Sequence, residues 1–176
     1  MILLVFAFAV LILPLQWIFA IVLAALFHEL CHYLAIRCCG GKILGAAAGI
    51  NGARLQVSGL SQGQELICAL AGPIGGLVLL FGIRWFPRIA ICGVCQSMFN
   101  LLPVYPLDGG RALQCGMELI LPIHQAERVC LWVRRICLAV VIGLGIYGSL
   151  IKGLGMMPLL LGGIICGKIA CKPTRD

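Results

Sequence analysis

Residues 27–32 decide how this sequence is interpreted, and they read Phe27-His28-Glu29-Leu30-Cys31-His32. The two histidines are four residues apart, and a helix places residues at that spacing on one face, one turn apart. Two imidazoles in this arrangement can hold one Zn²⁺ ion. Glu29, beside them, can take a proton from water at the metal. The alternative is a chance match on the polar face of a helix.

The surroundings of this H-E-x-x-H motif favour the metal site over chance. No Lys, Arg or Asp occurs between Met1 and Ile36, and Glu29 is the only fully charged residue in that span. Ionisable groups at membrane depth are costly unless they have a function. The sequence therefore predicts that His28 and His32 bind a metal and that Glu29 acts as a base.

The composition predicts an integral membrane protein. The 176 residues are 62% hydrophobic and 11% charged, with a mean hydropathy of +1.11, whereas soluble domains carry about 25% charged residues. We expect a single membrane domain over residues 1–176, with no separate soluble domain. The net charge of +7 is attributed to basic residues at the cytoplasmic surface, so no nucleic-acid partner is predicted.

The apolar runs predict an all-α polytopic membrane protein with about six transmembrane helices. The first run is only 13 residues long, so it spans about 20 Å of a hydrocarbon core of about 30 Å. It is either a thin or re-entrant segment, or the true start of the protein lies upstream. The six predicted helices are Met1–Leu13, Leu15–Ile36, Leu66–Ile83, Ile89–Leu102, Val129–Leu150 and Leu154–Ala170.

A glycine-rich segment, Gly40 to Gly63, follows the second predicted helix. Asn51-Gly52 at its centre is a signal for a tight hairpin turn. After it, polar and apolar residues alternate from Arg54 to Val57, as in a half-buried strand. We predict a short membrane-associated β-hairpin here, and a flexible glycine loop is the alternative.

A second chemical motif follows the fourth predicted helix and extends from Asn100 to Arg111. Pro103, Pro106 and two glycines interrupt the helix and free backbone groups, which is tolerated at membrane depth only beside a protected or wet cavity. Asp108 is the only carboxylate there. With His28 and His32 it would complete a three-ligand zinc shell that leaves a fourth position for water. The alternative is that Asp108 caps the following helix.

The distribution of basic residues predicts the orientation. With a cytoplasmic N-terminus, three basic residues face outward (Arg84, Arg88, Lys152) and ten face the cytoplasm, as the positive-inside rule requires. Both termini are then cytoplasmic in a multi-pass protein of the cell membrane. The second and fourth predicted helices run in parallel, which brings the histidine motif and Asp108 to similar depths.

Three motifs resemble the site-2 protease family of intramembrane zinc metalloproteases (peptidase M50). They are His28 to His32, Ala71-Gly72-Pro73, and Asn100-Leu101-Leu102-Pro103 with Leu107-Asp108-Gly109-Gly110. The resemblance covers roughly Leu15 to Arg135 and is greatest to the stage IV sporulation branch, which processes a sigma-factor precursor. It implies that His28, His32 and Asp108 bind zinc, that Glu29 is the general base, and that Asn100 helps hold the substrate backbone.

Two features depart from that family. Many members have Asn where Gly76 stands, and many sporulation-type members carry a cytoplasmic CBS domain. We expect no CBS domain here, because the sequence ends at Asp176. The regulator, the substrate and the oligomeric state are not predicted.

The predicted function is that of an intramembrane zinc endopeptidase. It would cleave a membrane-associated protein within or near the bilayer, with a sporulation transcription-factor precursor as one substrate class, and would have membrane regulatory subunits as partners. The alternatives are a non-proteolytic membrane metal-binding protein and a catalytically silent scaffold. The intact set of Glu29 and its three neighbouring ligands argues against both.

Overall fold

The computed structural model describes residues 14–49 and 52–150, which form five α-helices and a two-stranded sheet. A 3-10 helix, Leu79–Gly82, directly extends the second α-helix. The predicted first and sixth membrane helices lie outside the described residues. The elements in chain order are α1 (Leu15–Cys38), β1 (Lys42–Gly49), β2 (Gly52–Ser58), α2 (Gln62–Val78), α3 (Pro87–Asn100), α4 (Asp108–Ile120) and α5 (Ile123–Leu150).

Helix α1 buries a narrow stripe and exposes its apolar side chains. The buried residues recur every fourth position, at Ala20, Ala24, His28, His32 and Ile36, so they form one line along the helix. The large side chains of Leu15, Phe19, Leu26 and Leu34 are at least half exposed. A helix with small and polar residues inside and large apolar ones outside is typical of a protein surrounded by lipid.

Two of the described helical segments are long and apolar enough to cross a membrane, Leu15–Cys38 and Gln62–Gly82. Helix α3 has 14 residues and spans about 21 Å, which is shorter than a hydrocarbon core of about 30 Å. Helix α5 begins at Ile123, earlier than the expected Val129. His124 therefore lies in its first turn, where it is exposed. The total of six spans stays a prediction.

Helix α2 is the central element of the bundle. It packs against α1, α3 and α4, while α1 also packs against α3, and α5 packs against α4. Its glycines allow this close approach. A Cβ atom at Gly75 would overlap the Cys31 Sγ atom of α1, and one at Gly76 would overlap the Ser97 Oγ atom of α3. Because Gly76 directly faces Ser97 and the Gly93 carbonyl, a side chain as large as Asn has no room at this position.

The segment for which a hairpin or a loop was expected contains an antiparallel pair of strands. Lys42 pairs with Ser58 and Gly49 with Gly52, with an irregularity between Ile43 and Gly45. Glycines with positive φ flank the pair, Gly40 at +77° and Gly59 at +84°, a conformation that side chains other than glycine rarely adopt. They let the chain turn out of α1 into β1 and out of β2 toward α2.

A capping box begins helix α2 directly after the hairpin. The Gln64 amide N–H donates to Ser61 Oγ over 3.4 Å, and the Ser61 amide N–H donates to Gln64 Oε1 over 2.8 Å. These two bonds satisfy donors that the helix itself leaves unpaired. Gln64 Nε2 also donates to the Cys39 carbonyl over 3.2 Å. The end of α1 and the start of α2 are thus joined at the base of the hairpin.

Candidate metal centre

Three side chains from two distant parts of the chain converge at the inner face of α1. His28 Nε2 lies 3.0 Å and His32 Nε2 lies 3.1 Å from Asp108 Oδ2, and the two Nε2 atoms are 3.2 Å apart. His28 and His32 are only 2% and 8% exposed. Within the described residues these three side chains form the one group of metal-ligating type with its atoms this close together.

Asp108 reaches the histidines because the chain breaks between α3 and α4. Asp108 is the first residue of α4, and no side chain caps that helix, so Asp108 does not serve as the cap considered above. The next two residues pack directly on backbone. A Cβ at Gly109 would overlap the Leu101 carbonyl, and one at Gly110 would overlap the Tyr105 amide nitrogen. The two glycines therefore bring the start of α4 close under the preceding loop.

The backbone of α2 fixes the orientation of His32. His32 Nδ1 lies 2.7 Å from the Cys68 carbonyl oxygen. A carbonyl oxygen only accepts, so Nδ1 carries the proton and donates it. In the neutral ring, Nε2 then bears a lone pair that points at His28 and Asp108. This is the usual outer contact of a metal-binding histidine, which fixes the tautomer and the ring orientation.

The arrangement of acceptors requires a positive charge among them. A bare Nε2 and a carboxylate oxygen repel each other at 3.1 Å unless a proton or a metal cation lies between them. Ligand atoms about 2.1 Å from one tetrahedral Zn²⁺ ion would lie roughly 3.4 Å from each other, slightly more than the separations of 3.0 to 3.2 Å seen here. The donor set and its spacing therefore fit Zn²⁺.

The electrostatics of Asp108, which lies outside both candidate spans, agree with this. Burial alone would raise the pKa of its carboxyl group. When protons on His28 and His32 supply the positive charge, their hydrogen bonds and charges outweigh burial and lower the pKa to about 2. Asp108 is therefore anionic at neutral pH, as a metal-binding carboxylate must be.

The other two predicted site residues border this centre. Asn100 is the last residue of α3, and its Nδ2 atom lies 3.1 Å from His28 Nε2. Glu29 is exposed beside the buried His28, and its carboxylate is near enough to interact electrostatically with His32. Cys31, which was not predicted as a ligand, packs against Gly75 instead, and His124 lies on α5, outside the metal group.

Sequence reasoning missed two parts of this centre. The Cys68 carbonyl is a backbone group, and no residue type could have indicated it. Gly72 enters the sequence analysis only as part of the Ala71-Gly72-Pro73 motif, yet a Cβ there would meet His28 and His32. The signal available was the position of Ala71-Gly72-Pro73 on the helix that follows the hairpin.

Two comparisons with known proteins found relatives, and no protein-family model matches the chain. A curated protein of Mesorhizobium japonicum, named "Putative zinc metalloprotease mll0638", is 34% identical over 73 residues, or 38% of this chain. The chain spans about a fifth of that relative's length, with 20% of it aligned.

The structural comparison extends over nearly the whole chain. The Site-2 Protease from Methanocaldococcus jannaschii aligns with a TM-score of 0.63 and 18% identity, covering 99% of this chain and 88% of the other. At this identity the likeness establishes the fold. The chain therefore has the fold of a site-2 protease, with the candidate metal centre of His28, His32 and Asp108 at the inner face of its first described helix.

Proposed function

We propose that this chain is an intramembrane zinc endopeptidase of the site-2 protease type, which cleaves a membrane-associated protein within or near the bilayer. The observation that carries the proposal is the buried triad of His28, His32 and Asp108, whose ligand atoms are 3.0 to 3.2 Å apart. The fold, the curated zinc metalloprotease relative and two apolar helices of membrane-spanning length support it. The finer assignment to sporulation sigma-factor processing rests on the sequence resemblance alone.

The residues present divide the chemistry among them. A zinc ion held by His28, His32 and Asp108 would act as a Lewis acid. It would lower the pKa of water toward 7 and polarise a peptide carbonyl. Glu29, exposed on the same helix, accepts the proton of the attacking water and delivers it to the leaving amine. The Asn100 amide, 3.1 Å from His28 Nε2, lies where it can hydrogen-bond the substrate backbone.

The substrate must be extended at the point of cleavage. A helix engages its carbonyls in hydrogen bonds four residues apart, so a membrane helix has to unwind before its backbone can be attacked. The freed N–H and C=O groups then need partners at membrane depth. The strand pair β1–β2 can supply them by accepting the substrate as an added strand. Substrates are therefore expected to carry helix-breaking residues near the cut, on the cytoplasmic side.

The proposal is tested by Glu29→Gln, which keeps the size of the side chain and removes the base. The measurement is quantitative proteomics of membrane proteins in cells producing wild type or variant, together with bound zinc per purified chain. We expect uncleaved precursors to accumulate with the variant while zinc stays bound. Identical proteomes with zinc retained would instead identify a metal-binding protein or scaffold without proteolytic activity.

A further inference from the structure

We propose that Gly72 is part of the metal centre, because its missing side chain leaves the space that the ion occupies. The inference rests on the proposed zinc site and assigns a role to a residue that is not a ligand. A Cβ atom built at Gly72 would overlap His32 Nε2 and lie 2.7 Å from His28 Nε2. The separation from His32 Nε2 is close to the 2.0 to 2.1 Å of a zinc–imidazole bond, and the separation from His28 Nε2 is longer. A side chain at position 72 and a zinc ion would therefore compete for one place.

The position of Gly72 on α2 explains why the contact is so close. Gly72 is buried and lies four residues after Cys68, whose carbonyl accepts the His32 Nδ1 proton at 2.7 Å. The amide N–H of residue 72 is the regular helical partner of that same carbonyl. One turn of α2 thus has two roles. The Cys68 carbonyl holds the Nδ1 side of His32, and the absent side chain of Gly72 leaves room beside Nε2.

The geometry also shows which side of the metal centre is closed. The backbone of α2 at Gly72 closes one side of the two imidazoles, while Asn100 at the end of α3 approaches His28 Nε2 at 3.1 Å from another element. Water and substrate therefore have to reach the centre from outside α2. Gly72 is a positioning residue in this scheme, since it shapes the space around the ion and does not bind it.

The test is Gly72→Ala, compared with two glycines of the same helix. Gly63→Ala is the neutral control, because a Cβ there meets nothing within 4 Å. Gly75→Ala is the matched steric control, because its Cβ would overlap Cys31 Sγ, which is not a ligand. The readout is the dissociation constant for zinc, measured with the purified chains in detergent after chelation and readdition of zinc alone, with helical content by circular dichroism.

We expect Gly72→Ala to weaken zinc binding by more than about 100-fold, beyond the 10- to 100-fold typical of changes around a metal's ligands. Both control variants should lose less than the roughly 10-fold in zinc affinity that marks a change around the ligands. If wild type binds zinc and folded Gly72→Ala binds it equally well, the role of Gly72 is refuted and the zinc site stands. If wild type binds no zinc, the proposed function fails first.

A second variant covers the case in which Gly72→Ala does not fold. Adding His32→Ala removes the imidazole that the new methyl group would overlap. If the double variant regains wild-type helical content, the single variant failed because position 72 competes with His32, as proposed. If the double variant also fails to fold, Gly72 is required for another reason and the inference is wrong.

Discussion

At the scale of single residues, substitutions of the three ligands should affect bound zinc differently from a substitution of the base Glu29. His28→Ala, His32→Ala and Asp108→Ala each remove a ligand atom from a cluster only 3.0 to 3.2 Å across. Each should reduce bound zinc at least 10-fold, because even changes around the ligands have effects of that order. Zinc content by elemental analysis of the purified chains is the measurement.

The third histidine provides the control for those variants. His124 is exposed at the start of α5, so His124→Ala should retain zinc, and Glu29→Gln should retain most of it. Full zinc binding by Asp108→Ala would contradict the three-ligand centre. Asp108 would then be only the first residue of α4, with no role in binding the metal.

The residues also show how far sequence reasoning extends. His28 and His32 could be paired because four residues along a helix always share a face. Asp108 lies 80 residues from His28, and only motif chemistry and a shared depth connected them. The Cys68 carbonyl and the space at Gly72 depend on how α2 packs on α1. No local pattern encodes that contact, so these two parts could not be predicted.

At the scale of elements, the capping box predicts how α2 is stabilised. Ser61→Ala removes the hydroxyl that accepts from Gln64, so the unfolding free energy should fall by about 1 kcal/mol. Thermal unfolding in detergent, followed by circular dichroism, gives the change. Ser61→Thr keeps the hydroxyl and should unfold close to wild type. Equal stability of Ser61→Ala and wild type would show that the cap contributes nothing.

The strand pair predicts an alternating effect of proline. Residues Arg54 to Val57 pair with β1 between Ala47 and Ile43, and alternate N–H groups of a strand face opposite edges. Proline removes one donor, so at alternate positions it should impair cleavage while zinc stays bound, and at the others it should be tolerated. A proline scan of these four positions with substrate turnover and zinc content measures this.

Full activity at all four positions would mean that β2 does not hold the substrate.

The start of one helix was not predicted correctly from the sequence. Helix α5 begins at Ile123, although the apolar run that suggested it begins at Val129. Four of the six residues from Ile123 to Arg128 are polar or charged. Because most of this stretch is exposed, hydrophobicity alone does not reveal that it begins the helix.

At the scale of the whole molecule, the orientation in the membrane is the open prediction. Cys38 is exposed at the end of α1, on the side predicted to be cytoplasmic. In a variant with Cys38 as its single cysteine, a membrane-impermeant maleimide should label only after the membrane is opened. Arg84 is exposed in the turn after α2, and Arg84→Cys in the cysteine-free background should be labelled in intact cells.

The opposite labelling pattern would invert the orientation and place the metal centre near the outer surface.

The mostly helical fold of the described residues could be predicted, because a chain so apolar has few arrangements other than packed helices. The pairs of helices that pack together could not be predicted, since glycine contacts such as Gly75 with Cys31 decide which helices come close.

The hydrogen bond from Gln64 to the Cys39 carbonyl has a consequence for how such a protein can diversify. The chain leaves the helix bundle at Cys39 and returns to it at Gln64. The strand pair between them is therefore an insertion whose two ends are held together by this hydrogen bond. Its length and side chains can change without moving the helices that hold His28, His32 and Asp108. Under the proposed function, evolution can therefore vary the segment that contacts substrate as one module while the metal centre stays unchanged.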